Sequence, residues 1–193
     1  FGSLLFTLTS FYFYKIFFKE KTAFWLSFFT IFFPARLFVL RQVGAPETWF
    51  LSTILLSIIF FKKKNFWLSA IFASLSQLIK SPGILLFGAY FIVALIDYLK
   101  TKKLNLNYLF YLLVPVSALG IFYLYYLQTG DFLAYFHSGD NFHLTPFPYQ
   151  VFVSTRSWIN TIWLEDVIYI FALCFFAIYK LWKKYKLRSV CND

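Results

Sequence analysis

The stretch GILLFGAYFIVALIDYLKTKK, residues Gly83–Lys103, decides the fold. Between Gly83 and Leu99 its one charged side chain is Asp97, and the run ends on Lys100, Lys102 and Lys103. A bilayer core about 30 Å thick takes roughly 20 apolar residues as a helix. Basic residues beside such a run stay on the cytoplasmic side. The stretch therefore reads as a transmembrane helix closed by a cytoplasmic basic turn.

Composition leads to the same reading. The 193 residues are 61% hydrophobic, 25% aromatic and only 13% charged, with a mean hydropathy of +0.69. A soluble fold needs more polar surface than that, whereas lipid accepts Phe-rich faces. The net charge of +10 resides in short Lys clusters between apolar runs, which positive-inside topology explains. No nucleic-acid partner is assigned. Cys174 and Cys191 belong to no CxxC or zinc spacing.

Outward from this helix, seven spans are predicted: Gly2 to Phe18, Thr22 to Leu40, Glu47 to Phe61, Phe66 to Ile79, Gly83 to Leu99, Tyr108 to Leu127, and Asp166 to Trp182. The third and fourth are short, which tilt or local thinning of the bilayer accommodates. Alternate connections are basic. Lys15, Lys19 and Lys21, then Lys62 to Lys64, then Lys100, Lys102 and Lys103, then the tail from Lys180 to Arg188, hold 14 of the 18 basic residues on the cytoplasmic side. Glu47, Asp131, Asp140, Glu165 and Asp166 fall on the other side, with Arg36, Arg41, Lys80 and Arg156. The expected fold is an all-α polytopic transmembrane helix bundle, one transmembrane domain over residues 1–193, with one long extracytoplasmic loop at 128–165. In that loop STRSWINTIWLED (154–166) is expected to lie as an interfacial helix, with Trp158 and Trp163 at headgroup depth.

Three groups could carry chemistry on the outer side. In FFPARLFVLRQVGAPETWF (32–50), Pro34 kinks or ends the second span and Arg36 and Arg41 follow. Glu47 opens the next helix, where a carboxylate complements the positive helix end; its other reading is a carboxylate facing a polar cavity. Lys80 stands before Pro82-Gly83. Either it snorkels to the interface, or with Arg36, Arg41 and Arg156 it holds a lipid-linked phosphate. The long loop offers His137, Asp140 and His143 in HSGDNFH. Their spacing matches no established metal motif, so a divalent metal, a locally hydrogen-bonded turn and a contact to sugar hydroxyls remain three readings. No Walker A, GxSxG, HExxH or GxGxxG pattern occurs. Ionisable residues are nearly absent inside the spans, which counts against an ion pump or proton-coupled carrier.

The order PARLFVLRQVGAPETWFL, the basic turn KKKN and the later LIKSPGILLF resemble the GT-C type of integral-membrane glycosyltransferases, and among them the PIG-V-like mannosyltransferases of the GPI pathway. The likeness covers roughly residues 25 to 155. Lys80 takes the basic position of the family's Arg/Lys-Pro-Gly element, with Ser81 inserted. Asp131 matches the Asp of its Gly-Asp-Pro-like segment, with Phe132 in place of Pro. The resemblance implies transfer of a sugar, commonly mannose, from a polyprenyl-phosphate carrier to a lipid, glycan or protein acceptor on the extracytoplasmic side. The host would be a bacterial or archaeal plasma membrane, or the ER membrane of a eukaryote. Arg36, Arg41 and Lys80 would hold the donor phosphate, Glu47 and Asp131 would serve the chemistry, and His137, Asp140 and His143 would shape the acceptor or sugar loop. The family's principal acidic residue lies in the first external loop, expected here upstream of Phe1. A polysaccharide polymerase or ligase and a lipid or solute transporter are the alternative functions.

Overall fold

The computed structural model describes residues 2–32, 46–103, 105–137 and 169–185. Every regular element among them is helical and none is a strand. The chain divides into two compact units, Phe1–Ser138 and Gly139–Asp193.

In the first unit α1 is Gly2–Tyr14 and α2 is Glu20–Phe32, followed by α3, Glu47–Lys62, and α4, Phe66–Ile79. A 3-10 turn, Ser81–Ile84, leads into α5, Leu85–Thr101. A second 3-10 segment, Leu106–Leu112, leads into α6, Leu113–Thr129, and the short α7 is Ala134–His137. The second unit contributes α8, Tyr169–Tyr185, an apolar helix with a basic end.

The hairpin of α3 and α4 is the centre of the first unit. Three residues turn the chain: Lys64 takes a left-handed φ of 61°, and the Lys63 and Lys64 amides donate to the Ile59 and Phe61 carbonyls at the end of α3. The Asn65 side chain accepts the Leu68 amide at 3.3 Å and so caps α4. Small residues then face each other. Ser52 and Ser57 of α3 and Ser69, Ala70, Ala73 and Ser76 of α4 are fully buried, and side chains of that size let two helix backbones approach closely. The Ser57 hydroxyl donates to the Ser69 carbonyl at 2.9 Å and the Ser69 hydroxyl to the Ser57 carbonyl at 2.8 Å. Around this seam α1 packs on α2 and α3, while α4 also meets α6 and both 3-10 segments. Phe66, Ala70, Ala73, Tyr90, Tyr111 and Val114 form the apolar core.

Two continuous helical stretches, Ser81–Thr101 of 21 residues and Leu106–Thr129 of 24, are long and apolar enough to cross a membrane. They correspond to the fifth and sixth predicted spans. Helix α4 coincides with the fourth predicted span and α3 runs one residue past the third, whereas α1 ends four residues short of the first. Helix α1 stops at Tyr14, where a turn over Lys15–Phe18 begins and Lys15 pairs with Glu20 at 3.1 Å. Helices α1 and α2 have 13 residues each, α3 has 16 and α4 has 14, or about 20–24 Å at 1.5 Å per residue. The remainder of the second predicted span, the start of the seventh, and Trp158 and Trp163 lie outside the described residues.

Large apolar side chains point away from the core along both long stretches, among them Leu85, Phe91, Leu119 and Leu127. In the shorter helices, hydroxyl side chains such as Ser10, Ser52, Ser57, Ser69 and Ser76 are buried.

Candidate functional site

The lysine turns of the first unit gather at one end. Lys62 lies over the ring of Phe17 at 6.0 Å, which brings the Lys62–Lys64 turn beside the turn carrying Lys15 and Lys19. Tyr108, just beyond Lys100–Lys103, packs on Phe66 at 5.4 Å, immediately after the same lysine turn. The opposite end of the hairpin, where α3 begins and α4 ends, holds the candidate site.

There Glu47 Oε1 and Lys80 Nζ form an ion pair, both side chains about one-third exposed or less. Local sequence explains the meeting. Pro46 precedes α3 and its carbonyl accepts the Phe50 amide, which leaves Glu47 in the first turn. Lys80 is extended, at φ −147° and ψ 136°, and ends α4 by donating its amide to the Ser76 carbonyl. The chain then doubles back so tightly that a Cβ on Gly83 would lie 2.6 Å from Gln77 Cα and from the Ser76 carbonyl carbon. Only glycine fits there. Gln77 itself is buried, and its Oε1 has no hydrogen-bond partner among the described residues. Helix α1 closes in from the side: a Cβ on Gly2 would lie 2.7 Å from Thr48 Oγ1.

The start of the long loop folds onto this end. Gly130 closes α6 with φ 74°, its amide donating to the Tyr126 carbonyl. Asp131 then turns the chain: Oδ1 accepts the Leu133 amide at 2.8 Å, and Oδ2 lies 2.6 Å from His137 Nδ1. The hydrogen bond with His137, then that from the Leu133 amide, holds the Asp131 carboxyl below the usual carboxylate range. The pair is open, with the His137 side chain 64% and that of Asp131 40% exposed. Phe122 of α6 packs against Phe132, Tyr135 and Phe136, and the Tyr135 hydroxyl donates to Ser81 Oγ at 3.1 Å. That bond joins the loop to the turn directly after Lys80.

The structure thus brings together Glu47 with Lys80, and Asp131 with His137, and links the second pair to the first through Tyr135 and Ser81. Arg36, Arg41, Asp140, His143 and Arg156 lie outside the described residues. Grouping His137 with Asp140 and His143 overlooked its bond to Asp131, six residues back, because only the Gly130 reversal brings the two side chains face to face. Ser81 and Tyr135 were not singled out as site residues either. Ser81 is visible in sequence as the residue inserted into the Lys-Pro-Gly element; Tyr135 carries no such signal among so many aromatics. Among the described residues no group of three His, Cys, Asp or Glu side chains could hold a metal ion. Comparison with protein-family models, with curated proteins and with solved structures finds no match to this chain.

Proposed function

We propose that this chain is part of a membrane-embedded glycosyltransferase of about seven spans. It would transfer a sugar, mannose in the first instance, from a polyprenyl-phosphate carrier to an acceptor on the extracytoplasmic side. The observation that carries the reading is the clustering of Glu47, Lys80, Asp131 and His137 at the end of the bundle opposite the lysine turns. By the positive-inside rule that end faces away from the cytosol.

The chemistry follows from the partners. A lysine ammonium has three N–H donors; one on Glu47 leaves two for a phosphate oxygen, and the carboxylate fixes where the cation stands. Arg36 and Arg41 belong to the same donor-phosphate group in this reading. Transfer to a hydroxyl needs a base beside it. With Asp131 held in its ionised form, the carboxylate orients the imidazole and His137 takes the acceptor proton. Asp140 and His143 complete the sugar-facing loop.

Less favourable to a transporter is the cluster of Ser57, Ser69, Tyr90 and Tyr111, whose hydroxyls hydrogen-bond among themselves and are thereby occupied within the bundle. The test is incubation of membranes containing the protein with radiolabelled polyprenyl-phosphate sugars. Transfer into a lipid, glycan or protein fraction, reduced about 10²–10⁴-fold in His137→Ala, supports the reading. Absence of transfer into all three fractions refutes it.

A further inference from the structure

A second site lies at the other end of the same unit. Between α5 and the 3-10 segment Leu106–Leu112 runs an apolar groove of about 330 Å³. Its floor is the pair of stacked rings Tyr90 and Tyr111, 4.1 Å apart. These are fixed by hydroxyl bonds of 2.7 Å to Ser57 and Ser69 respectively. One wall is the helical stripe Phe87, Phe91, Ala94, Leu95 and Tyr98; Leu109 and Leu112 face it. Phe91, Leu95, Leu109 and Leu112 are exposed although the groove is otherwise dry in character.

Length and charge identify what fits. From Tyr98 to Phe87 the stripe extends about 16 Å at 1.5 Å per residue, about half of a 30 Å hydrocarbon core. It therefore suits one leaflet. The groove ends at Tyr98 and Asn105, and the connection between these residues carries Lys100, Lys102 and Lys103, all exposed. The one acid beside this rim, Asp97, sits against the Tyr108 hydroxyl. A basic cluster at the mouth of an apolar slot matches an anionic headgroup on an acyl chain, since lysines at the membrane surface attract anionic lipid.

We propose that this groove binds one anionic phospholipid of the cytoplasmic leaflet, an acyl chain lying over Tyr90 and Tyr111 and the phosphate held by Lys100, Lys102 and Lys103. The inference rests on the membrane placement proposed above, and sugar transfer plays no part in it. Such a lipid would fill the slot beside α5 and so brace the helix that follows the Lys80–Gly83 turn.

The full chain, reconstituted in phosphatidylcholine vesicles, is irradiated with phosphatidylglycerol bearing a diazirine in its acyl chain, and in parallel with the phosphatidylcholine counterpart. Adducts are mapped by peptide mass spectrometry. The expected result is labelling within Phe87–Tyr98 and Leu106–Leu112, about tenfold stronger for phosphatidylglycerol. Ala94→Trp, which fills the slot, removes these adducts. The surface triple variant Lys100→Gln, Lys102→Gln, Lys103→Gln equalises the two lipids without touching the slot. Equal labelling of the unaltered chain by both lipids overturns the proposal, as do adducts that survive Ala94→Trp. Displacement by added polyprenyl phosphate in preference to phosphatidylglycerol also overturns it, since the slot then belongs to the carrier. Flotation with the vesicles separates the two levels: a chain that fails to float removes the membrane placement as well, whereas one that floats and labels without preference removes this inference alone.

Discussion

At Gly83 a single missing methyl group sets the geometry of the site. An added Cβ meets the backbone of α4 at Ser76 and Gln77, where no side chain can swing aside. Gly83→Ala is expected to cost about 1–3 kcal/mol, seen as a lower melting temperature in detergent, whereas Gly120→Ala, with open space around the new methyl, is expected to leave that temperature within about a degree or to raise it slightly. Asp131 offers a second test. Its carboxyl titrates below the ordinary range in the folded chain because His137 and the Leu133 amide bind its ionised form. The stabilisation is thus complete above the ordinary carboxylate pKa and is lost as the pH falls through the lowered folded value. Limited proteolysis of the Gly130–His137 segment is expected to rise over that acid window. In Asp131→Asn the cleavage is expected to be fast at neutral pH already and to lose this acid dependence; an unchanged acid profile in the variant would contradict the assignment.

Among the elements, the α3–α4 hairpin shows how polar side chains hold an apolar bundle together. Lipid tails are as apolar as leucine, so helices in a bilayer associate through close packing and interhelical hydrogen bonds. Ser69 donates to the Ser57 carbonyl and accepts the Tyr111 hydroxyl at 2.7 Å, joining three elements. Ser69→Ala is expected to cost about 1–2 kcal/mol in thermal unfolding of the solubilised protein. Ser117→Ala serves as its control: that hydroxyl donates only to the Val114 carbonyl of its own helix, at 2.7 Å, and its loss is expected to shift stability by no more than about 0.5 kcal/mol. Equal effects would place the strength of the bundle in packing rather than in this cluster. The serines of α3 and α4 were legible as span residues, but nothing in their spacing announced that Tyr90 and Tyr111, from two later elements, would close on them.

For the molecule as a whole, polarity is the testable property. Single cysteines at Lys63 and at Phe132, in a background with Cys174 and Cys191 replaced by Ser, are expected to react with an impermeant maleimide from opposite sides of intact cells, Phe132 from outside. Labelling of both from the same side would separate the lysine turns from the inner face and remove the basis for an external sugar site.

The sequence by itself determined that the described chain is helical and apolar, where two helices long enough to cross a membrane run, and that its lysine clusters alternate with apolar stretches. Those properties are local, because hydropathy and charge are carried by each residue wherever it ends up. Tertiary structure alone decided that Glu47 meets Lys80, 33 residues later, that Tyr135 bonds Ser81 across 54 residues, and that two tyrosines floor a groove beside a lysine-rich turn. Such pairings depend on how closely the backbones approach, and Gly83 and the buried serines set that distance through side chains too small to leave a hydropathic signature.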